Sequence, residues 1–261
     1  MKQKLKYIFL LFSVIILLVS INYSYLDKSL EDFLTEYESA FVERVVDGDT
    51  LIANNESVRL LGINSPEKGE KYYLEAKKFL ENLTFNKSVN LEKTSEDKDK
   101  YGRKLRYIFV EDKNVNLEIV EKGFANYYFP SGKDIYYETF KNAWESCIEQ
   151  NINLCEKLKD KCAECIELKE FEHKTQEIIF YNKCAFDCEI TGWEIKDEGR
   201  KKFVFPRLIL EREKEIKINI GEGKNNETDL FWKGEDYVWT QTGDTLFLRD
   251  KNGKLVLWEG Y

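Results

Sequence analysis

Residues 41–63 read FVERVVDGDTLIANNESVRLLGI, which is three short β-forming runs joined by two turns. The first turn, DGDT, places Asp47 and Asp49 on either side of a glycine. Asp and Gly are common turn residues, so DGDT alone indicates only a turn. The chain also repeats three of these letters far downstream, at Gly243, Asp244 and Thr245. Whether Asp47 and Asp49 do chemistry therefore depends on the residues that accompany them.

The residues after this stretch predict a small barrel. Helices are predicted over 71–83 and 134–150, and two further strands over 88–93 and 105–111. Five strands with a helix between the third and the fourth is the order of an OB-type barrel, a fold that often handles oligonucleotides. From residue 166 onward the pattern is almost wholly β, in short runs divided by turns, which predicts a β-sandwich. The expected fold class is mainly β with α.

Length, charge and histidine content limit the possible functions. A chain of 261 residues has room for two domains. Its net charge of −8 argues against general attraction to nucleic acid or anionic lipid, but allows a nucleic-acid enzyme with a locally positive site or a bound metal ion. Its one histidine, His173, excludes a His/Cys zinc finger, a His-paired nucleophile and a multi-histidine metal centre.

The N-terminus predicts export. Lys2, Lys4 and Lys6 precede an uninterrupted apolar stretch over 7–21, the pattern of an export signal. No small-residue cleavage site follows, so residues 1–25 are interpreted as a signal anchor or transmembrane segment, with a cleaved signal as the alternative. The lysines predict that the rest of the chain lies outside the cytoplasm. Helical spacing of apolar residues predicts a helical stalk over 26–40.

The aspartates are followed by polar residues that also stand near strand ends or turns. Phosphodiester cleavage needs a cation that draws charge from the phosphate, fixed positive groups, and a group that orients or deprotonates a water molecule. Hard oxygen ligands select Ca²⁺ or Mg²⁺, and arginine suits phosphate oxygens. The candidate set is Asp47, Asp49, Arg59, Asn64, Ser65, Glu67 and Arg103.

DGDT (47–50), VRLLGINSPEKGE (58–70) and DKYGRKLRYIF (99–109) together resemble the staphylococcal nuclease family over about residues 41–157. The resemblance implies a nuclease acting on DNA or RNA with one Ca²⁺. Asp49, Asn64 and the Ser65 carbonyl would hold the metal, with Asp47 and Thr50 supporting them.

The same resemblance implies that Arg59 and Arg103 bind the phosphate, that Glu67 activates the water, and that Tyr101 and Lys100 line the nucleotide site. Asn64 departs from the family, which usually has a carboxylate there. Loss of one ligand charge predicts weaker metal binding and leaves a catalytically degenerate, nucleic-acid-binding or protein-binding scaffold as the alternative.

KCAFDCEITGWEIKDEGRKKFVFP (183–206), with VWTQTGDTLFLRDKNGKLV (238–256), resembles the lamin-tail domain family. The resemblance implies an immunoglobulin-like sandwich, assigned to 158–261 with its cysteine-bearing linker, and a role in interaction rather than catalysis. Whether this domain attaches to a protein, the cell envelope or the substrate stays open.

The six cysteines all lie downstream of the nuclease motifs. Disulfides are expected in an exported chain, and a structural Zn²⁺ is the alternative, since C-x2-C and C-x3-C spacings occur. The predicted pairing joins the first two cysteines to each other and the 162/165 pair to the 184/188 pair. The six are Cys147, Cys155, Cys162, Cys165, Cys184 and Cys188.

Overall fold

The computed structural model describes four helical residues near the N-terminus (Val14, Ile16, Leu17 and Val19) and all of 37–261. In these parts of the chain, no helix is long and apolar enough to cross a membrane. The predicted anchor otherwise lies outside the described residues, as does the stalk up to residue 36. The helix prediction is wrong for 37–40, which is the start of a strand. There, alternate burial and pairing with a neighbouring strand outweigh the local helical spacing.

The first module, residues 37–157, contains a closed five-stranded barrel. Its elements are β1 (Tyr37–Val45), β2 (Thr50–Ala53), β3 (Glu56–Leu60), β4 (Gly62–Asn64), α1 (Tyr73–Thr84), β5 (Ser88–Lys98), β6 (Lys104–Val110), β7 (Lys113–Asn114), α2 (Val115–Glu121), β8 (Asn126–Tyr128) and α3 (Tyr137–Gln150). Strands pair in the order β3-β2-β1-β5-β6, and a parallel pairing of β3 with β6 closes the barrel. The predicted OB-type order, with a helix before the fourth barrel strand, is confirmed.

The second module, residues 158–261, is a sandwich of two four-stranded sheets. Its elements are α4 (Lys161–Cys165), β9 (Ile166–Glu172), β10 (Glu177–Asn182), β11 (Cys188–Glu189), β12 (Glu194–Lys196), β13 (Lys202–Val204), β14 (Ile209–Leu210), β15 (Glu215–Ile220), β16 (Asp229–Trp232), β17 (Thr245–Arg249) and β18 (Leu255–Gly260). One sheet has the order β16-β15-β10-β9 and the other β13-β12-β17-β18. Buried aromatic and aliphatic side chains fill the space between them.

The two modules share a packed interface. Phe247 of β17 and Leu255 of β18 belong to the hydrophobic cluster of the first module. Phe247 meets the indole of Trp144 in α3 edge-on, with 5.3 Å between ring centroids. Leu255 exchanges backbone hydrogen bonds with the linker, donating to Glu156 and accepting from Leu158. The second module is therefore docked on the barrel.

Three disulfides confirm the predicted pairing of the cysteines. One bridge joins Cys147 at the end of α3 to Cys155. The other two join α4 to the start of the sandwich, as Cys162–Cys188 and Cys165–Cys184. The zinc alternative is wrong, because every cysteine sulfur is in a disulfide.

Candidate active site

The DGDT turn is held at the end of the barrel by a close backbone approach. The Asp47 carboxylate accepts a hydrogen bond from the Asp49 amide at 3.1 Å, which closes the turn. A Cβ on Gly48 would lie 2.7 Å from the Ser65 Cβ and 2.8 Å from the Ala76 Cβ. Only glycine lets this turn pack against both the loop after β4 and helix α1. Burial and the neighbouring Asp49 charge raise the pKa of Asp47.

Asp49 is a buried carboxylate, and both of its oxygens accept hydrogen bonds. Its Oδ2 accepts from the Ser65 amide at 2.8 Å and from the Ser65 hydroxyl at 2.9 Å, and the Thr50 hydroxyl donates to Oδ1. Arg59 Nη2 lies 3.2 Å from Oδ2. Burial acts to raise the pKa of Asp49, but the Arg59 charge and the Ser65 hydrogen bonds outweigh it, so the pKa lies below its ordinary value.

Two predicted metal ligands converge on one positive charge. Arg59 Nη2 also donates to Asn64 Oδ1 at 3.4 Å, so this guanidinium nitrogen faces oxygens of both Asp49 and Asn64. Carboxylate and amide oxygens are hard donors of the kind that divalent cations bind, and here both face the Arg59 guanidinium. In the described part of the chain, no group of three or more His, Cys, Asp or Glu side chains could hold a metal ion. A cation here would therefore depend on the Asn64 amide oxygen and on the Ser65 carbonyl.

Arg103 lies on the more open side of the site. Its Nε is 2.7 Å from Asp99 Oδ2, and its Nη1 donates to the Thr50 hydroxyl at 3.3 Å. Thr50 thus links Arg103 to Asp49. The Arg103 guanidinium and the Lys100 ammonium both lie against the ring of Tyr101, which is 67% exposed. A nucleic-acid base can stack on an exposed aromatic ring of this kind while the neighbouring cations contact the phosphate.

Glu67 stands on the loop between β4 and α1 and meets the second module. Its carboxylate lies 2.7 Å from Arg200 Nε, and both side chains are about half exposed. At the end of β4, just before this loop, Asn64 Nδ2 donates to the Glu198 and Gly199 carbonyls at 3.2 and 2.6 Å. The turn between β12 and β13 therefore borders the site and buries Asn64, which is 2% exposed.

Direct contacts connect most of the predicted site residues, whereas the Glu67 side chain contacts Arg200 of the second module. The connected residues are Asp47, Asp49, Thr50, Arg59, Asn64, Ser65 and Arg103. The structure adds two groups that the sequence did not single out, Asp99 on Arg103 and the turn containing Glu198, Gly199 and Arg200. Asp99 lies inside the quoted DKYGR segment and could have been included. The charged turn KDEGRKK (196–202) carries no local signal of which surface it would meet.

The first module matches known nucleases. Residues 57–157 match the model described as Staphylococcal nuclease homologue. A thermonuclease of Staphylococcus intermedius is 33% identical over 130 residues, which cover 46% of this chain and 77% of the relative. The chain belongs to the staphylococcal nuclease family.

In two other relatives of this nuclease-family chain, the matched segment covers a smaller share of the relative's own length. An uncharacterized endonuclease of Haemophilus influenzae is 36% identical over 114 residues, covering 41% of this chain and 63% of the relative. Endonuclease YhcR of Bacillus subtilis is 32% identical over 128 residues, covering 41% of this chain but 10% of its own length. Residues 164–261 match the Lamin Tail Domain model. The two resemblances seen in the sequence are thus confirmed.

Proposed function

We propose that this chain is a Ca²⁺-dependent nuclease that hydrolyses phosphodiester bonds of DNA or RNA outside the cytoplasm. The convergence of Asp49, Asn64 and Arg59 at one buried point, with Arg103 linked to it through the Thr50 hydroxyl, carries the proposal. Family membership supports the reaction class, since the relatives named above include a thermonuclease and endonucleases.

Each side chain has a role that its surroundings support. Arg103 donates to a phosphate oxygen, and its pairing with Asp99 fixes the direction of the guanidinium. Arg59 supplies a second positive charge at the same end of the barrel. Glu67 is 45% exposed in its side chain and so reaches solvent, where it orients and deprotonates the attacking water. Tyr101 offers its exposed ring to a base.

The metal would be held by Asp49, the Asn64 amide oxygen and the Ser65 carbonyl. When bound, Ca²⁺ would supply positive charge to the scissile phosphate and so favour negative charge in the transition state. The mixture of a carboxylate, an amide and a carbonyl suits Ca²⁺ better than Mg²⁺, which demands a more regular octahedron.

Export and membrane attachment are part of the proposal. The three disulfides support an oxidising compartment, where such bonds persist. The basic residues and apolar stretch at 1–21 support a retained anchor that leaves both modules outside the cytoplasm. The second module would then attach to a protein, the envelope or the substrate.

A non-catalytic scaffold is the second candidate, and one observation favours it. The Asn64 amide is engaged by two carbonyls of the second module, and Asp49 and Ser65 are 4% and 3% exposed. A domain that had lost its metal site could keep such contacts and bind nucleic acid without cleaving it.

Cleavage assays on the full-length chain in mild detergent separate the two candidates. Supercoiled plasmid, single-stranded DNA and RNA are incubated with Ca²⁺, with Mg²⁺, or with excess chelator. We expect cleavage with Ca²⁺, slower cleavage with Mg²⁺ and none with chelator. Glu67→Gln should abolish most of this activity. Glu75→Gln on the exposed face of α1 is the matched control. Binding without cleavage would favour the scaffold.

A further inference from the structure

A hairpin of the second module grips the loop that carries Glu67. The clamp hairpin consists of β12, the turn over 197–201, and β13. The loop between β4 and α1 has neither helix nor strand, although it carries Ser65 and Glu67 of the site. Contacts from outside the loop are therefore needed to hold its side chains in one arrangement.

The first contact fixes the start of the loop and explains an unusual residue. Asn64 Nδ2 donates to two carbonyls of the hairpin turn, at 2.6 Å for Gly199 and 3.2 Å for Glu198. Asn126 of β8 donates to the same Glu198 carbonyl at 3.0 Å. A carboxylate in place of Asn64 would have no proton to donate and would face two carbonyl oxygens. An amide at this position is therefore matched to the hairpin.

The second contact reaches the Glu67 side chain directly. Arg200 leaves the hairpin turn with its Nε 2.7 Å from Glu67 Oε1. Such a half-exposed ion pair is weak by itself. Its effect depends on whether the backbone on both sides is already fixed.

The third contact fixes the Glu67 backbone. Glu70 Oε2 accepts a hydrogen bond from the Glu67 amide at 2.9 Å. The same Glu70 carboxylate pairs with two lysines of the hairpin, at 3.1 Å for Lys196 and 3.4 Å for Lys202. The hairpin thus holds Glu67 through both its side chain and its main chain.

We propose that the second module is a working part of the nuclease site, in which the clamp hairpin positions Glu67 and Arg200 is a positioning residue. The proposal rests on the proposed nuclease function, since it assigns a task to the Glu67 loop in that reaction. A base held in one direction spends more of its time aligned with the attacking water. The hairpin contacts should therefore affect kcat rather than substrate binding.

The test compares Arg200→Ala, Arg200→Lys and Arg207→Ala in the full-length chain. Arg207 is an exposed arginine of the same module and serves as the matched control. With a short single-stranded DNA and saturating Ca²⁺, we expect Arg200→Ala to lower kcat about tenfold and to leave KM within about twofold. Arg200→Lys should recover kcat to within about threefold of wild type, and Arg207→Ala should match wild type.

Hydrogen–deuterium exchange gives a second reading that needs no activity. Peptides covering 64–72 should exchange about fivefold faster in Arg200→Ala and in Lys196→Met, and at the wild-type rate in Arg207→Ala. Unchanged exchange overturns the proposal, as does kcat that is equal to or above wild type in Arg200→Ala. If the wild-type chain cleaves nothing, the nuclease function fails, and exchange still decides whether the hairpin holds the loop.

Discussion

The oxygen and the nitrogen of the Asn64 side-chain amide face different parts of the molecule. Its oxygen faces Arg59 within the barrel, and its nitrogen faces the Gly199 carbonyl of the second module. The sequence indicated only that a carboxylate was missing at this position. In the structure the missing charge has a structural reason, because the nitrogen is a hydrogen-bond donor that a carboxylate cannot replace.

Asn64→Asp should therefore act in opposite directions on stability and on metal binding. Without Ca²⁺ we expect the free energy of unfolding to fall by about 1–3 kcal/mol, because a carboxylate oxygen would face two carbonyls. Ca²⁺ should stabilise the variant more than it stabilises wild type, because one ligand charge is restored. Thermal unfolding with and without Ca²⁺ measures both effects. A smaller Ca²⁺-induced shift in the variant would contradict the assignment of Asn64 as a ligand.

Replacing the two site arginines should change the free energy of unfolding by different amounts, although we propose that both arginines serve the reaction. Arg59→Ala leaves Asp49 buried without its cation, and we expect a loss of about 3 kcal/mol in unfolding free energy in the absence of metal. Arg103→Ala removes a partly exposed pair and should change stability by less than about 1 kcal/mol. Both variants should lose roughly 10² in kcat. Denaturant unfolding and cleavage rates are compared with Arg44→Ala, an exposed arginine of β1.

Much of the site could be predicted because its residues lie in three short sequence blocks. Asp49, Glu67 and Arg103 could be named from those blocks alone. Arg200 could not, because it is far from Glu67 in sequence and stands in a charged turn of the kind found on many surfaces. Contacts between modules depend on tertiary packing, which local patterns do not report.

Helix α4 is held to the rest of the second module by covalent bonds. It has five residues and is joined by both bridges to the start of the sandwich. We expect the double substitution Cys165→Ser/Cys184→Ser to lower the unfolding free energy by roughly 3 kcal/mol while cleavage at 25 °C stays near wild type. Thermal unfolding and the cleavage assay measure the two effects. Loss of activity at a temperature where the fold persists would contradict this separation.

The turn of the clamp hairpin also makes stability depend on pH. Burial, with the charge of Asp244 as a smaller cause, raises the pKa of Asp197 from 3.8 to about 7, against the opposing charges of Lys196 and Lys201. The folded chain then keeps a proton that the unfolded chain has lost. The contribution of Asp197 to stability should therefore fall as pH rises from about 4 to about 7, by up to about 4 kcal/mol.

Asp197→Asn is the test of this pH dependence. Its side-chain oxygen can still accept the hydrogen bond from the Lys201 amide. The variant should unfold with a flatter pH profile between 4 and 7 than wild type, as measured by urea unfolding across that range. Profiles of equal slope would show that another group is responsible.

At the level of elements, the sequence predicted the regular ones and missed the short ones. α1, α3 and the five barrel strands follow clear periodic patterns. The prediction of one run over 57–63 hid a break, because β3 ends at Leu60 and β4 pairs with β8 instead. Strands of two or three residues, such as β14, are too short for a period to appear and exist only through their partners.

For the whole molecule, the shared core predicts that the two modules unfold together. Phe247 is 2% exposed and packs on Trp144 of the other module. We expect one cooperative transition in calorimetry. Phe247→Ala should lower the unfolding free energy by about 3–4 kcal/mol and lower the melting temperature of both modules. Phe186→Ala, on an exposed ring, is the control. Two separate transitions in wild type would contradict the coupling.

The packing of Phe247 and Leu255 into the first module also sets an order of events during biosynthesis. Trp144 leaves the ribosome long before Phe247 and Leu255. The barrel is therefore made while the apolar surface that these two residues pack against is still exposed. The clamp hairpin likewise follows the loop that it holds. A nascent chain that stops between the two modules therefore lacks both Phe247 and Leu255 on the barrel and the hairpin contacts to Glu67. If the clamp hairpin positions Glu67 as proposed, we expect the site to reach its final arrangement only after translation has passed the strands that pack on the barrel.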